Sequence, residues 1–178
     1  MPSAGPTKAQ EKAIAFRSAY WPEVTDESLW HRKRCDGYTT IPRTMPILMS
    51  IIDSLSKNRP AGRAYLGLWA RAFDEALLVI ENPASLAAES DFSGERAVST
   101  WRQRMRTLKE LGFIDAKPGS AGEFHYVLIF NPHRVVWKLK DRIQEGLFRQ
   151  LWERAIDIGA RDMQPPASEA EEAEEAED

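Results

Sequence analysis

Basic side chains concentrate in one short stretch of the chain, "SGERAVSTWRQRMRTLKELGFI", which runs from Ser93 to Ile114. Four apolar residues within it recur at the spacing that places side chains on one side of a helix: Val98, Trp101, Met105 and Leu108. Ser93 is a residue type that caps helix starts, and Gly112 is the type that ends helices. The sequence therefore predicts a helix over 94–111 with one apolar side.

The other side of this predicted helix carries groups suited to reading DNA. Arg forms paired hydrogen bonds with guanine, Gln does so with adenine, and small hydroxyls let the backbone come close. Flanking cations and the amides at a helix start suit phosphate oxygens. We therefore predict DNA contacts from Ser93, Arg96, Ser99, Thr100, Arg102, Gln103, Arg104, Arg106 and Lys109. The alternative is a solvated helix whose basic residues pair locally with Glu95 and Glu110.

The net charge of the whole chain hides a basic body. Its 178 residues include 24 Lys and Arg against 27 Asp and Glu, a formal charge of −3. Seven acidic residues and no basic ones lie in the last fourteen, "PPASEAEEAEEAED". The composition predicts that 163–178 form a disordered acidic tail, which could contact a basic protein partner or occupy the DNA-binding surface. The rest of the chain is net positive, as nucleic-acid binding requires.

Hydrophobic periodicity and turn residues divide the remaining chain into elements. Residues 1–7 are predicted to be flexible, and 8–60 to form an N-terminal helical extension with a short strand in "GYTTIPR". Residues 61–132 contain a helix, a strand over 76–80, a short helix capped by Asn82, the basic helix, and a hairpin from "FIDA" and "EFHYVLIF". Residues 133–162 read as one C-terminal helix.

The stretch "SLAAESDFSGERAVSTWRQRMRTLKELGFIDA", in this order of elements, resembles the winged helix-turn-helix DNA-binding domain. The resemblance implies a mainly α fold with a small β-hairpin (α+β), flanked by N- and C-terminal helices. It also implies that the 94–111 helix enters the major groove of double-stranded DNA. Lys117, in the hairpin tip "KPGSAGE", would then reach a phosphate. A separate segment, "GYTTIPRTMPILMSIIDSLSK", is similar to proteins carried by bacterial plasmids and mobile elements.

These resemblances lead us to expect a bacterial or plasmid-borne transcriptional regulator. A plasmid replication initiator or an accessory replication or partition factor is the nearest alternative, and a winged-helix protein–protein interaction module is the alternative of another class. The C-terminal helix is expected to form a homodimer, and packing within its own chain is the alternative. Two further basic groups could widen the DNA footprint, but the sequence leaves open which way they face: residues 31–34, and Lys57, Arg59 and Arg63.

Enzyme chemistry is not expected from the sequence. The three His residues lie in different predicted elements, no Gly-rich phosphate loop precedes a helix, and Cys35 is the only cysteine. We therefore predict no catalytic residue, metal or cofactor. The chain has neither an apolar run long enough to cross a bilayer nor the hydrophobic core of a signal peptide, so a cytoplasmic location without membrane contact is expected.

Overall fold

The computed structural model describes residues 7–163, and the chain divides into two compact units, Met1–Tyr38 and Thr39–Asp178. In the first unit, helix α1 spans Lys8–Tyr20 and a 3-10 turn spans Asp26–Ser28. Thr7 caps α1, because its hydroxyl accepts a hydrogen bond from the Gln10 amide while the Gln10 side chain accepts one from the Thr7 amide. All described side chains of α1 remain at least partly exposed.

The second unit combines helices with one small antiparallel sheet. Its elements are α2 (Met45–Leu55), α3 (Gly62–Arg71), β1 (Leu77–Val79), α4 (Pro83–Glu89), α5 (Ala97–Glu110), β2 (Ile114–Gly119), β3 (Gly122–Ile129), α6 (Pro132–Lys138) and α7 (Glu145–Asp157). The sheet order is β1-β3-β2. Across the described residues, the fold is thus a mixture of seven α-helices and one three-stranded sheet. The expected mainly helical chain with a hairpin is confirmed at this level.

The sheet covers the helices with one face only. Leu78 and Ala116 both lie opposite Val127, and all three side chains are buried. The alternate residues point outwards, and four apolar side chains on this outer face are 40–55% exposed: Leu77, Val79, Tyr126 and Leu128. The hairpin was predicted from the sequence, whereas the pairing of β1 with β3 was not.

The buried side of α5 joins the helices to the sheet. Trp101, Met105 and Leu108 are fully buried, and the Trp101 ring meets Phe124 of β3 edge to face with 6.0 Å between centroids. Immediately after α5, Phe113 meets Tyr65 of α3 in the same way at 5.4 Å. The predicted apolar side of this helix is therefore the side that packs.

The start of α5 differs from the prediction. Gly94 has a φ of +80°, a left-handed conformation that a helix cannot include, so the helix begins at Ala97 and not at 94. Ser93 is consequently not its cap, and Arg96 occupies the N-cap position. The predicted end is correct, because α5 stops at Glu110 and Gly112 follows with a φ of +82°.

The strand predicted in "GYTTIPR" is wrong. Residues 38–43 form no strand, and Pro42 has no amide hydrogen with which to join a sheet. Thr39 instead donates its hydroxyl hydrogen to the Ala72 carbonyl at 3.1 Å. The neighbouring α2 belongs to the second unit, where it packs on α3 and α7, and not to an extension that ends at residue 60.

The single C-terminal helix is also wrong. The segment breaks into α6, a 3-10 turn at Lys140–Arg142, and α7, with Ile143 in an extended conformation that buries its side chain. The buried residues of α7, Leu151 and Ala155, lie on the helix that packs against α2 of the same chain. These two side chains are thus covered within the chain, whereas Phe148 and Trp152 of α7 remain partly exposed.

Gly67 lets α3 and α4 approach closely. A Cβ atom at this position would lie 2.7 Å from the hydroxyl oxygen of Ser90, which is buried and donates to the Leu86 carbonyl. We predict that Gly67→Ala lowers the free energy of unfolding by about 1–3 kcal/mol through overpacking. Gly146→Ala, in α7 with open space around the added methyl, should raise it by up to about 1 kcal/mol. Urea denaturation measures both changes.

The same contact supplies a rescue. Ser90→Ala removes the hydroxyl that the new methyl meets, while the Ser90 Cβ stays 3.9 Å away. In the Gly67→Ala/Ser90→Ala double variant, the loss of unfolding free energy should therefore be smaller than the sum of the losses in the two single variants. Strict additivity would contradict this explanation of the glycine.

Candidate nucleic-acid interface

The charged side of α5 lies beside the β2–β3 hairpin. Arg106 donates two hydrogen bonds to the Glu123 carboxylate of β3, with N–O distances of 3.1 and 2.7 Å, and both side chains are about half exposed. The hydrogen bond with Glu123 raises the pKa of Arg106. This predicted DNA contact is thus paired with a carboxylate in the structure described.

Lys109 fastens the same helix to β2. Its Nζ donates to the Ala116 carbonyl at 2.9 Å and lies 3.0 Å from the Asp115 carboxylate. The hydrogen bond from Lys109, together with one from the Ala116 amide, lowers the pKa of Asp115. Lys109 therefore holds the hairpin against the helix, a role that the sequence analysis did not predict.

Arg104 lies on the other flank of α5. Its guanidinium sits 5.9 Å from the centre of the Phe92 ring, and its Nη1 donates to the Gln103 side-chain oxygen at 3.0 Å. Burial lowers the pKa of Arg104, and the nearby positive charge of Arg59 lowers it further. The structure does not bring Arg104 together with the hairpin.

Four predicted cations form no ion pair with any described residue: Arg96, Arg102, Arg104 and Lys117. Arg102 adjoins the hairpin turn, because its Nη2 lies 3.5 Å from where a Cβ would stand at Gly122. Arg96 and Lys117 are exposed at the start of α5 and in β2. Arg102 and Arg104 are both half-buried, but only Arg104 is held by Phe92 and Gln103. Arg96, Arg102 and Lys117 are therefore the available positive charges of the predicted set.

The uncharged residues predicted to contact DNA also differ in their exposure. Ser99 is exposed and donates its hydroxyl hydrogen to the Arg96 carbonyl at 2.9 Å. Gln103 and Thr100 are half-buried on α5, and Ser93 is exposed in the turn before it. The exposed surface of α5 and the adjoining hairpin therefore hold most of the predicted residues, with Arg104 the exception. We name the surface formed by Arg96, Ser99, Thr100, Arg102, Gln103, Arg106 and Lys117 the α5 surface.

The two additional basic groups separate in the structure. Lys57 and Arg59 line a groove of about 350 Å³ beside the C-terminal half of α5, whereas Arg63 forms an ion pair with Asp91. Residues 31–34 lie in the first unit, where Arg34 is 3.9 Å from Asp26. Arg142 also lines the groove. Arg142 was not among the predicted DNA contacts, since a continuous helix was expected there.

A Thr–His–Asp hydrogen-bond chain is a second feature that sequence reasoning missed. The Thr44 hydroxyl lies 2.7 Å from His133 Nε2, and His133 Nδ1 lies 2.8 Å from the Asp162 carboxylate. Burial opposes ionisation of Asp162, but hydrogen bonds from Asn131 and His133 prevail and lower its pKa. Thr44 is fully buried, so its hydroxyl cannot meet a substrate from solvent. These hydrogen bonds link the start of α2 to α6 and to the C-terminal segment.

Within residues 7–163, no three His, Cys, Asp or Glu side chains are placed to hold a metal ion together. None of the helices described is both long and apolar enough to span a bilayer. The acidic segment 164–178 lies outside the described residues.

Comparison of the chain with protein-family models, with curated proteins and with solved structures finds no match.

The contact between Lys109 and Asp115 makes a measurable prediction. In the folded protein the Asp115 carboxyl should titrate below its ordinary value of about 3.9, and Lys109→Gln should move the midpoint upwards. Side-chain carboxyl chemical shifts in an NMR pH titration measure both midpoints. Arg149→Gln, a change of the same charge on α7, should leave Asp115 unaltered. Equal midpoints in the parent and Lys109→Gln would contradict the contact.

Proposed function

We propose that this protein binds double-stranded DNA through a winged helix-turn-helix formed by 61–132, with α5 in the major groove. The proposal is supported by the order α3, β1, α4, α5, β2, β3, by the packing of α4 on α5, and by the sheet order β1-β3-β2. The observation that carries it is the α5 surface, where Arg96, Arg102 and Lys117 have no ion-pair partner among residues 7–163.

The proposed contacts follow from these positions. Arg102 lies on α5 next to the hairpin turn and can offer its guanidinium to a guanine or to a phosphate. Lys117, on the hairpin, would contact one phosphate. Arg96, at the start of the helix, would contact another. Ser99 is small enough to let the helix backbone approach the base edges. In this arrangement Arg106 and Lys109 orient the hairpin instead of contacting DNA.

The proposed role is that of a bacterial or plasmid-borne transcriptional regulator acting in the cytoplasm as a homodimer without enzymatic activity. A role in plasmid replication or partition uses the same DNA contact. Because Leu151 and Ala155 of α7 are covered within the chain, a dimer would use side chains that remain exposed. The partly exposed ring cluster of Trp137, Phe148 and Trp152, with centroids 5.8–6.3 Å apart, is one candidate.

A protein-interaction module is the second candidate function, and one observation favours it. The outer face of the sheet exposes Leu77, Val79, Tyr126 and Leu128 side by side across β1 and β3. Contiguous exposed apolar side chains are typical of protein contacts. A protein that functions through this face has no need of Arg102.

Charge reversal on α5 distinguishes the two candidates. We predict that Arg102→Glu abolishes binding to a labelled random-sequence duplex, because it places a negative charge between the helix and the DNA phosphates. Arg149→Glu, the same change on α7, should reduce affinity only slightly. Fluorescence anisotropy across a salt series measures both, and urea denaturation checks that both variants are folded. Equal affinities for the two variants would refute α5 as the contact.

The Arg106–Glu123 pair gives a prediction of opposite sign. Glu123→Gln releases the Arg106 guanidinium and removes a negative charge from the α5 surface, so DNA affinity should rise several-fold at low salt. Stability should change by less than about 1 kcal/mol, since the pair is exposed. Anisotropy and urea denaturation test the two statements. Glu153→Gln on α7 is the control, and an equal effect of both substitutions would show that only net charge matters.

A further inference from the structure

We propose that the groove lined by Lys57, Arg59 and Arg142 binds a phosphate of the DNA strand opposite the one that the hairpin contacts. This inference rests on the proposed function and extends it to a second phosphate site.

The groove collects three cations from distant parts of the chain. Lys57 and Arg59 lie in the turn between α2 and α3, and Arg142 lies in the turn between α6 and α7. Ser56, together with Thr107 and Glu110 of α5, completes its polar lining. Within residues 7–163 none of the three cations forms an ion pair. The groove therefore has three positive charges against one carboxylate.

A fourth cation increases the local excess of positive charge. Arg104 is close enough to Arg59 for the two charges to repel, which contributes to the lowered pKa of Arg104. The buried Nε of Arg104 has no hydrogen-bond partner among the described residues. Asp53 and Glu110 are the nearby carboxylates, so the cations remain in excess. An excess of like charges favours binding of an anion, because the anion relieves their repulsion.

The position of the groove relative to α5 determines which DNA strand would supply the phosphate. At 3.6 residues per turn, Arg102 and Thr107 project about 140° apart around the helix. Arg102 faces the hairpin, and Thr107 lines the groove. The hairpin and the groove thus flank α5 on its two sides. A helix in the major groove lies between the two phosphate backbones, so cations on opposite flanks meet opposite strands.

The position of the site suits a phosphate group and not a base. The groove is open to solvent, and its cations come from turns between helices and not from α5 itself. Base edges lie deeper in the major groove, where only side chains from the exposed surface of α5 project. The groove should therefore increase affinity for every sequence and should contribute little to discrimination between sequences.

The test is a salt series with full-length protein and a labelled random-sequence duplex. The triple variant Lys57→Gln/Arg59→Gln/Arg142→Gln should bind several-fold more weakly at low salt. Its slope of log affinity against log salt should be smaller by about 0.9, the value for one phosphate contact. The control triple Arg43→Gln/Arg149→Gln/Arg161→Gln removes the same charge from exposed positions that do not line the groove. It should keep the slope of the parent protein.

The possible results separate the two proposals. If the parent binds DNA, Arg102→Glu does not, and the groove triple has the slope of the control triple, the groove inference is refuted and the proposed function stands. Weaker binding with an unchanged slope refutes it as well, because no phosphate contact was lost. If the parent itself binds no duplex at low salt, both proposals fail. Urea midpoints of the two triples show whether each remains folded.

A duplex selected from random sequence then locates the phosphate. Neutral methylphosphonate linkages are introduced singly along both strands, and the groove triple and Lys117→Gln are each compared with the parent. We expect each variant to become insensitive to a different linkage, on opposite strands. Insensitivity at the same linkage, or on one strand, would overturn the assignment to the opposite strand.

Discussion

The packing of Trp101 against Phe124 is the contact on which the arrangement of the α5 surface depends. Both rings are buried, one on α5 and the other on β3, and they meet edge to face. Burying a Trp side chain contributes about 4–6 kcal/mol at 25 cal/mol per Å². The indole nitrogen has no partner among the described residues, which costs about 1–3 kcal/mol. The balance favours burial, and burial of this side of the helix turns its charged side outwards next to the hairpin.

Ion pairs then fix the orientation of the hairpin relative to α5, which apolar packing alone does not determine. A hairpin held to a helix only by apolar contacts can pivot about them, whereas Arg106–Glu123 and Lys109–Asp115 join the two elements at two further points. Each exposed pair contributes little to stability. Their effect is on geometry, because they fix β2 and β3 at a defined position along α5. Two cations that would otherwise be available to phosphates are used for this purpose.

Local signals in the sequence predicted the parts of the fold that local interactions determine. Asn82 caps α4 through hydrogen bonds to two amides, Gly112 ends α5, and the hairpin turns between the predicted strands. The secondary-structure predictions were wrong where the local structure depends on residues that are far apart in the chain. "GYTTIPR" has strand-forming residues but no partner strand, and the break before α7 places Ile143 in a core built largely by other elements.

The candidate site shows the same division. Helical spacing identified the side of α5 that carries Arg96 and Arg102, since a single helix determines it. It could not show that Glu123, seventeen residues after Arg106, would return along β3 to pair with it. Nor could it bring Arg142 beside Lys57, because that requires α7 to pack on α2. Helix periodicity thus indicates which residues share a side, and tertiary structure decides which of them are available.

The side chains that remain free to contact DNA also determine which residues would contribute to affinity and which to sequence specificity. A Gln that reads adenine must offer its side-chain oxygen and its amide hydrogens together. The oxygen of Gln103 already accepts a hydrogen bond from Arg104, which is itself held against Phe92. Base reading by Gln103 would therefore have to compete with this contact or share the oxygen with it. Under the proposed function, Arg102 would be the side chain of the α5 surface that distinguishes a guanine. The remaining cations contribute charge, so discrimination between sequences would rest on few residues and affinity on many.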